Sequence, residues 1–276
     1  MPPSPPTSFQ SQNLEGRIAL ITGGSQGIGK EVARGLARAG VTVLIAARNA
    51  ATGEATAREL AGDGKVIFCV FDVNDEAALQ PLVALVDKQF GKLDILVNNA
   101  ALGGRGMHGA FEVSADEMRE VYASNVFAVV SMVQAFLPLL TKSKAGRIVN
   151  VSSERGSLTE GTVSEEQRAK GKNNSEPGTM AHRVAFITQP NMAYSSSKTA
   201  LNALTQHFAY QLEKMGSAIK INAAAPGHCA TAFNNFRGSR TPAEGARIIV
   251  TLALLDERGP SGGFFKDDGQ PESAPW

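Results

Sequence analysis

The sequence predicts an α/β fold: a doubly wound parallel sheet covered by helices on both faces, in a single domain. Three observations predict it. From residue 17 onward, short apolar runs without strict alternation take turns with longer helical stretches, which is the pattern of parallel strands buried on both faces. A glycine-rich turn follows the first run and leads into an amphipathic helix. The 276 residues, 43% hydrophobic and 19% charged, have ordinary globular composition and suffice for one sizeable core.

The chain begins MPPSPPTSFQSQN, with four prolines among its first six residues. It has neither the basic start nor the apolar centre of a secretory signal, and residues 1–15 read as a disordered extension. Residues 16–276 are then expected to form a single folded domain. The apolar runs predict strands over 17–22, 42–46, 66–71, 93–97, 147–151 and 219–224. Helices are expected over 27–39, 51–61, 76–91, 116–140 and 192–215. Strand, helix, strand in repetition implies right-handed crossovers. The rhythm breaks in an insertion at about 156–190, where SEEQRAKGKNNSEPG is charged and rich in Gly and Asn. It reads as a solvated surface loop with one helical turn near 165–170, or as a wall over the site.

Composition excludes several classes. A formal charge of +1 argues against a polyanion binder. Cys69 and Cys229 form no disulfide framework, and His108, His182, His207 and His228 lack metal-ligand spacing, so no metal is expected. No apolar run reads as long enough to span a bilayer. A metal-free cytoplasmic protein is the expectation, with no nucleic-acid or membrane partner.

The turn Thr22-Gly23-Gly24-Ser25-Gln26-Gly27-Ile28-Gly29 sits between the first strand and its helix. Glycines there let the backbone approach a pyrophosphate, and the helix N-terminus adds unpaired N–H groups and positive potential. At the end of the second strand, Ile45-Ala46-Ala47-Arg48-Asn49 contains no acid to accept a ribose 2′-hydroxyl. Arg48 offers charge-assisted bonds to a 2′-phosphate, which points to NADP(H).

Tyr194-Ser195-Ser196-Ser197-Lys198 opens a predicted helix. Residues four apart share a helical face, so phenol and ammonium reach one cleft. The nearby positive charge favours the phenolate, making Tyr194 a candidate general acid or general base.

The spacing T-G-x-x-x-G-x-G, carried by Thr22, Gly23, Gly27 and Gly29, resembles the short-chain dehydrogenase/reductase family, whose fold is a Rossmann-type doubly wound sheet. The resemblance covers about residues 16–265, with further motifs in family order. Asp72-Val73 is similar to the family pair beside the adenine. Asn98-Asn99-Ala100 matches the segment flanking the cofactor ribose, with Ala101 where family members usually have glycine. The resemblance places the catalytic serine at Ser153, with Ser152 the alternative. It implies that Asn125 holds a water continuing a proton relay from Lys198. Pro226-Gly227-His228-Cys229-Ala230-Thr231 resembles the P-G-x-x-x-T segment near the nicotinamide. Cys229 there reads as a packed side chain, and His228 faces either substrate or solvent.

The family mechanism implies that Ser153 and Tyr194 polarise a carbonyl, that NADPH supplies hydride, and that Lys198 holds the nicotinamide ribose. In all, Gly23, Ser25, Gln26, Gly27, Ile28, Gly29, Arg48, Asn49, Asp72, Val73, Asn99, Ala100, Tyr194, Lys198, Pro226, Gly227 and Thr231 are expected at the cofactor.

Tyr194 follows Ser153 by 41 positions, far more than in most members of the family. This resembles the monomeric carbonyl reductases and related plant ketone reductases, as does the ending Gly259-Pro260-Ser261-Gly262-Gly263-Phe264-Phe265 with its final strand. A monomeric NADPH-dependent carbonyl reductase is expected, acting on an aldehyde or ketone with an apolar portion. Phe186, Ile187, Met192, Phe233 and Phe236 are candidates for the substrate mouth. An alcohol dehydrogenase or tailoring reductase of one metabolite, and a non-catalytic NADP(H)-binding regulator, are the alternatives.

Overall fold

All six apolar runs fold as strands: β1 (Ile18–Thr22), β2 (Thr42–Ala47), β3 (Val66–Val70), β4 (Ile95–Asn98), β5 (Arg147–Val151) and β6 (Lys220–Ala225). The structure is a computed structural model that describes residues 14–106, 108–161, 186–187, 189–267 and 271–276. β7 (Phe264–Asp267) extends the parallel sheet, and β8 (Pro271–Ser273) closes it antiparallel to β7. The order is β3-β2-β1-β4-β5-β6-β7-β8. This is a Rossmann-type doubly wound sheet, and its winding reverses between β1 and β4, where such sheets open a crevice at the strands' carboxyl ends.

The near-continuous apolar strands have a direct cause in packing. Alternate residues of one strand feed opposite layers: Ala19, Ile21, Val43 and Ile45 pack into one core, Leu20, Leu44, Leu96 and Ile148 into the other. The first layer includes α1 (Gly27–Arg38) and α7 (Pro242–Ala253); the second includes α3 (Glu76–Phe90), α5 (Ala128–Thr141) and α6 (Met192–Lys214). The second strand leads into α2 (Ala50–Leu60).

Three features depart from the sequence reading. The helix expected over 116–140 is α4 (Ala115–Tyr122) and α5 joined by a π-helical segment, Ala123–Phe127, in which the Ala128 N–H donates to the Ala123 carbonyl. Together, 115–141 is long and apolar enough to cross a membrane by length and composition, contrary to the expectation of no such run. Its Val129, Met132, Val133, Phe136, Leu139 and Leu140 are instead buried in the second core layer. α7 was not foreseen, although Thr241-Pro242-Ala243-Glu244 spells a capping box: Thr241 Oγ1 accepts the Glu244 N–H and Glu244 Oε2 accepts the Thr241 N–H. Leu14, assigned to the extension, packs on the first layer, while residues 1–13 lie outside the described residues. Most of the expected insertion, 162–185 with its helical turn, lies outside them too.

Candidate active site

At the switch point the glycine turn is held from across the sheet. Thr22 Oγ1 accepts the N–H groups of Asn99 and Ala100 at 3.0 and 3.1 Å, and Asn99 Nδ2 donates to the carbonyls of Thr22 and Gly23 at 2.9 and 3.1 Å. Only glycine suits this geometry. Gly23 and Gly27 have φ of +65° and +56°, and a Cβ on Gly29 would stand 2.4 Å from the Gly23 carbonyl oxygen. Gln26, at the N-cap of α1, makes no side-chain cap, and no acid occupies the helix's first turn. The first-turn N–H groups therefore have no side-chain competitor for an anion. These residues fit a dinucleotide pyrophosphate.

A cleft of about 820 Å³ runs from this turn along the strand ends. At one end Arg48 leaves β2 with its side chain 68% exposed, its Nη1 4.0 Å from Asp72 Oδ2. Asn49 caps α2 by accepting the Thr52 N–H at 3.0 Å, so its backbone contribution to the cleft is fixed. Asp72 Oδ1 accepts the Asn74 N–H, and Asp72, Val73 and Asn74 all line the cleft. This end offers a cation and no β2 carboxylate, an arrangement suited to a 2′-phosphate.

The reactive end gathers side chains from β5 and α6. The two serines that end β5 part company. Ser152 Oγ donates to Asn202 Oδ1 at 2.6 Å and is committed to α6. Ser153 Oγ lies in the cleft, accepts the Arg155 N–H at 3.2 Å and neighbours Tyr194. Asn191 starts α6 by accepting the Tyr194 N–H at 3.1 Å, and its Nδ2 donates to the Gly103 carbonyl at 2.8 Å. One turn on, Lys198 Nζ donates to the Val151 carbonyl at 2.7 Å and stands 5.6 Å from the Tyr194 ring centroid. Behind them, Asn98, Asn150 and Thr205 form a buried chain of hydrogen bonds from β4 through β5 to α6.

Burial governs the titration of both groups. It pushes the Tyr194 phenol above its ordinary value, and the Ser153 hydroxyl and the Arg155 charge oppose that only in part. It pushes the Lys198 ammonium down to about 7. Arg155 thus adds a cation that favours the phenolate, beside the Lys198 ammonium 5.6 Å from the Tyr194 ring centroid. Asn125 is buried and well partnered. Its Oδ1 accepts the Leu102 N–H, and its Nδ2 donates to the Leu102 carbonyl and to Ser197 Oγ. The side chain thereby ties the segment after β4 to α6.

Pro226, Gly227, His228, Cys229 and Thr231 line the cleft beyond β6. Cys229 is packed: its thiol donates to the Pro226 carbonyl, and burial pushes it up to about 11. His228 stacks on Phe186 with centroids 4.3 Å apart, and Phe233 meets Tyr194 at 5.6 Å. Phe186 and Phe233 thus line the cleft, whereas Ile187, Met192 and Phe236 are not among its lining residues. Sequence reasoning missed Arg155, Gln189, Asn191 and the stretch 102–106, all of which line it. None of them carried a local signal in the sequence: Arg155 stands two residues past the serine, but its partners Ser195 and Gln189 are distant along the chain.

Comparison with known proteins agrees with this geometry. The profile of the family described as short chain dehydrogenase matches residues 17–164 and 181–241. A (+)-neomenthol dehydrogenase of Capsicum annuum is 32% identical, over 90% of this chain and 95% of that protein. Carbonyl reductase (NADPH) 1 of Sus scrofa is 30% identical, over 94% of this chain and 97% of that protein. Among solved structures, the Pseudomonas aeruginosa RhlG/NADP active-site complex is 29% identical with a TM-score of 0.74, covering 93% of this chain and 96% of that one. With the glycine turn, the serine–tyrosine–lysine cluster and a family match over most of its length, the chain belongs to the short-chain dehydrogenase/reductase family, oxidoreductases acting on alcohol and carbonyl groups.

Proposed function

We propose that this protein is an NADPH-dependent carbonyl reductase, converting an aldehyde or ketone reversibly into an alcohol. The observation that carries the reading is the convergence of Ser153, Tyr194 and Lys198 in one cleft with the glycine turn and Arg48. The Sus scrofa relative, named for NADPH and carbonyl reduction, and the NADP complex of the Pseudomonas protein support the same choice of cofactor.

Gly23, Ser25, Gln26, Gly27, Ile28 and Gly29 hold the pyrophosphate, and Arg48 with the main chain of Asn49 takes the 2′-phosphate. Asp72 and Val73 flank the adenine, Asn99 and Ala100 the ribose. Pro226, Gly227 and Thr231 bound the nicotinamide end. When bound, the nicotinamide supplies or accepts hydride. The remaining chemistry is the protein's. Ser153 donates a hydrogen bond to the substrate oxygen and stabilises charge developing there. Tyr194 gives that oxygen its proton in reduction and removes it in oxidation. Lys198 anchors the ribose and, when charged, opposes the burial that holds the phenol protonated. Asn125 is a positioning residue that keeps the 102 segment and α6 in register.

The test is a panel of aldehydes, ketones and the corresponding alcohols, followed by nicotinamide absorbance with NADPH and with NADH. Alcohols belong in it because the Capsicum relative is named a dehydrogenase. The wild type should turn over carbonyls with NADPH in preference to NADH. Tyr194→Phe should bind NADPH and lose at least about 100-fold in kcat; near-normal reduction by that variant would refute the assignment.

A further inference from the structure

Arg155 lies on the 3-10 turn Glu154–Gly156, directly after Ser153, and is 7% exposed in the cleft wall. Its Nε donates to Ser195 Oγ at 3.3 Å, Nη2 donates to the Gln189 carbonyl, and the guanidinium lies 5.4 Å over the Phe186 ring. Every one of these partners is uncharged. Nη1 makes no hydrogen bond among the described residues, and it is not one of the side-chain nitrogens sealed from solvent without a partner. Arg155 is itself one of the residues that line the cleft.

The other deeply buried arginine shows what a structural guanidinium looks like here. Arg147, at the start of β5, gives its three nitrogens to the carbonyls of Gly146, Leu255 and Asp256 and lines no part of the cleft. Arg155 has fewer partners, lines the cleft and lies near enough to Tyr194 for its charge to act on the phenol. The described lining of the cleft also contains Arg48, Arg105, Arg237 and Lys198, against Asp72 as its one carboxylate. Asp72 sits beside Arg48, after β3. A guanidinium taken out of water without a counter-charge is unfavourable, and a planar anion with two acceptor oxygens is its best-matched partner.

We propose that the substrate is an oxo acid, whose carboxylate docks on Arg155 while its carbonyl oxygen meets Ser153 and Tyr194. The apolar body of such a substrate rests between Phe186 and Phe233. This deepens, and rests on, the carbonyl-reductase reading above. The bond changes are those of that reaction. The C=O becomes HC–OH, with hydride from NADPH and the proton from Tyr194, and the carboxylate leaves unchanged.

The experiment compares 3- and 4-formylbenzoate with their methyl esters, pairs that share ring and aldehyde and differ in charge. For at least one pair the wild type should show a kcat/KM about tenfold higher for the acid, and Arg155→Met should lose that ratio, with Arg155→Lys retaining part of it. Calorimetric titration of the products, 3- and 4-(hydroxymethyl)benzoate, reads the site without turnover and should weaken about tenfold in Arg155→Met. A wild type that reduces the esters as well as the acids would overturn the proposal. So would an Arg155→Met protein in which acid and ester fall together, since the arginine would then be a strut for Gln189 and Phe186. A raised KM for NADPH with an unchanged acid-to-ester ratio would assign Arg155 to the nucleotide instead. Failure of the parent reading looks different: no aldehyde is reduced at all, whereas the calorimetric difference still reports on Arg155.

Discussion

Lys198 and Tyr194 occupy one burial environment and respond to it in opposite senses. The Lys198 ammonium, 2% exposed and bonded to the Val151 carbonyl, has its pKa lowered from 10.5 to about 7. Between those values the unfolded chain keeps a proton that the folded one has released, so stability rises with pH by up to about 1.4 kcal/mol per unit. The raised Tyr194 pKa acts the other way above its ordinary value of 10.0, where the unfolded phenol ionises first and stability falls. For nucleotide-free protein melted at successive pH values from 7 to 10, wild-type Tm should climb relative to that of Lys198→Met. Parallel profiles would show that the amine does not titrate in this window. The tyrosine–lysine pair was legible from spacing because both residues lie on one helix. Arg155 was not, because its meaning depends on Ser195 and on Gln189, 34 positions away in sequence.

Elements were legible to the extent that local rules determine them. Parallel strands announce themselves as unbroken apolar runs, and β1 to β6 each fall within a residue or two of expectation. The π segment left no such trace, since one extra residue per turn inside the apolar stretch 121–140 disturbs no visible period. Asn125 nonetheless lies within it. α7 was overlooked for another reason: its apolar side chains sit beside small ones in a stretch without clear helical period, although the cap was in plain view. That cap provides a test. Thr241→Ala removes the side-chain oxygen that accepts the Glu244 N–H and should lower stability by about 1 kcal/mol in denaturant unfolding. NADPH affinity should hold, because Thr241 is not among the residues lining the cleft.

At the scale of the whole molecule, the long approach to Tyr194 bears on assembly. We propose that the protein is a monomer, as the resemblance to the monomeric reductase branch implies. Light scattering should return 29.0 kDa, and a stable tetramer would refute it. The doubly wound parallel sheet followed from the alternation of strands and helices, whereas the strand order, the antiparallel β8 and the packing of Trp276 on Phe264, centroids 5.7 Å apart, required the folded chain to be seen. Long-range closure of this kind has no local signal.

The clamp between Thr22 and Asn99 carries the same lesson into time. During synthesis the glycine turn leaves the ribosome first, but the residues that give it shape follow 77 positions later. A nascent chain ending before β4 holds the complete glycine motif and lacks the clamp that shapes it. On the proposed function, nucleotide binding is expected only once β4 has paired with β1, so that a bound nucleotide would report a finished half-sheet.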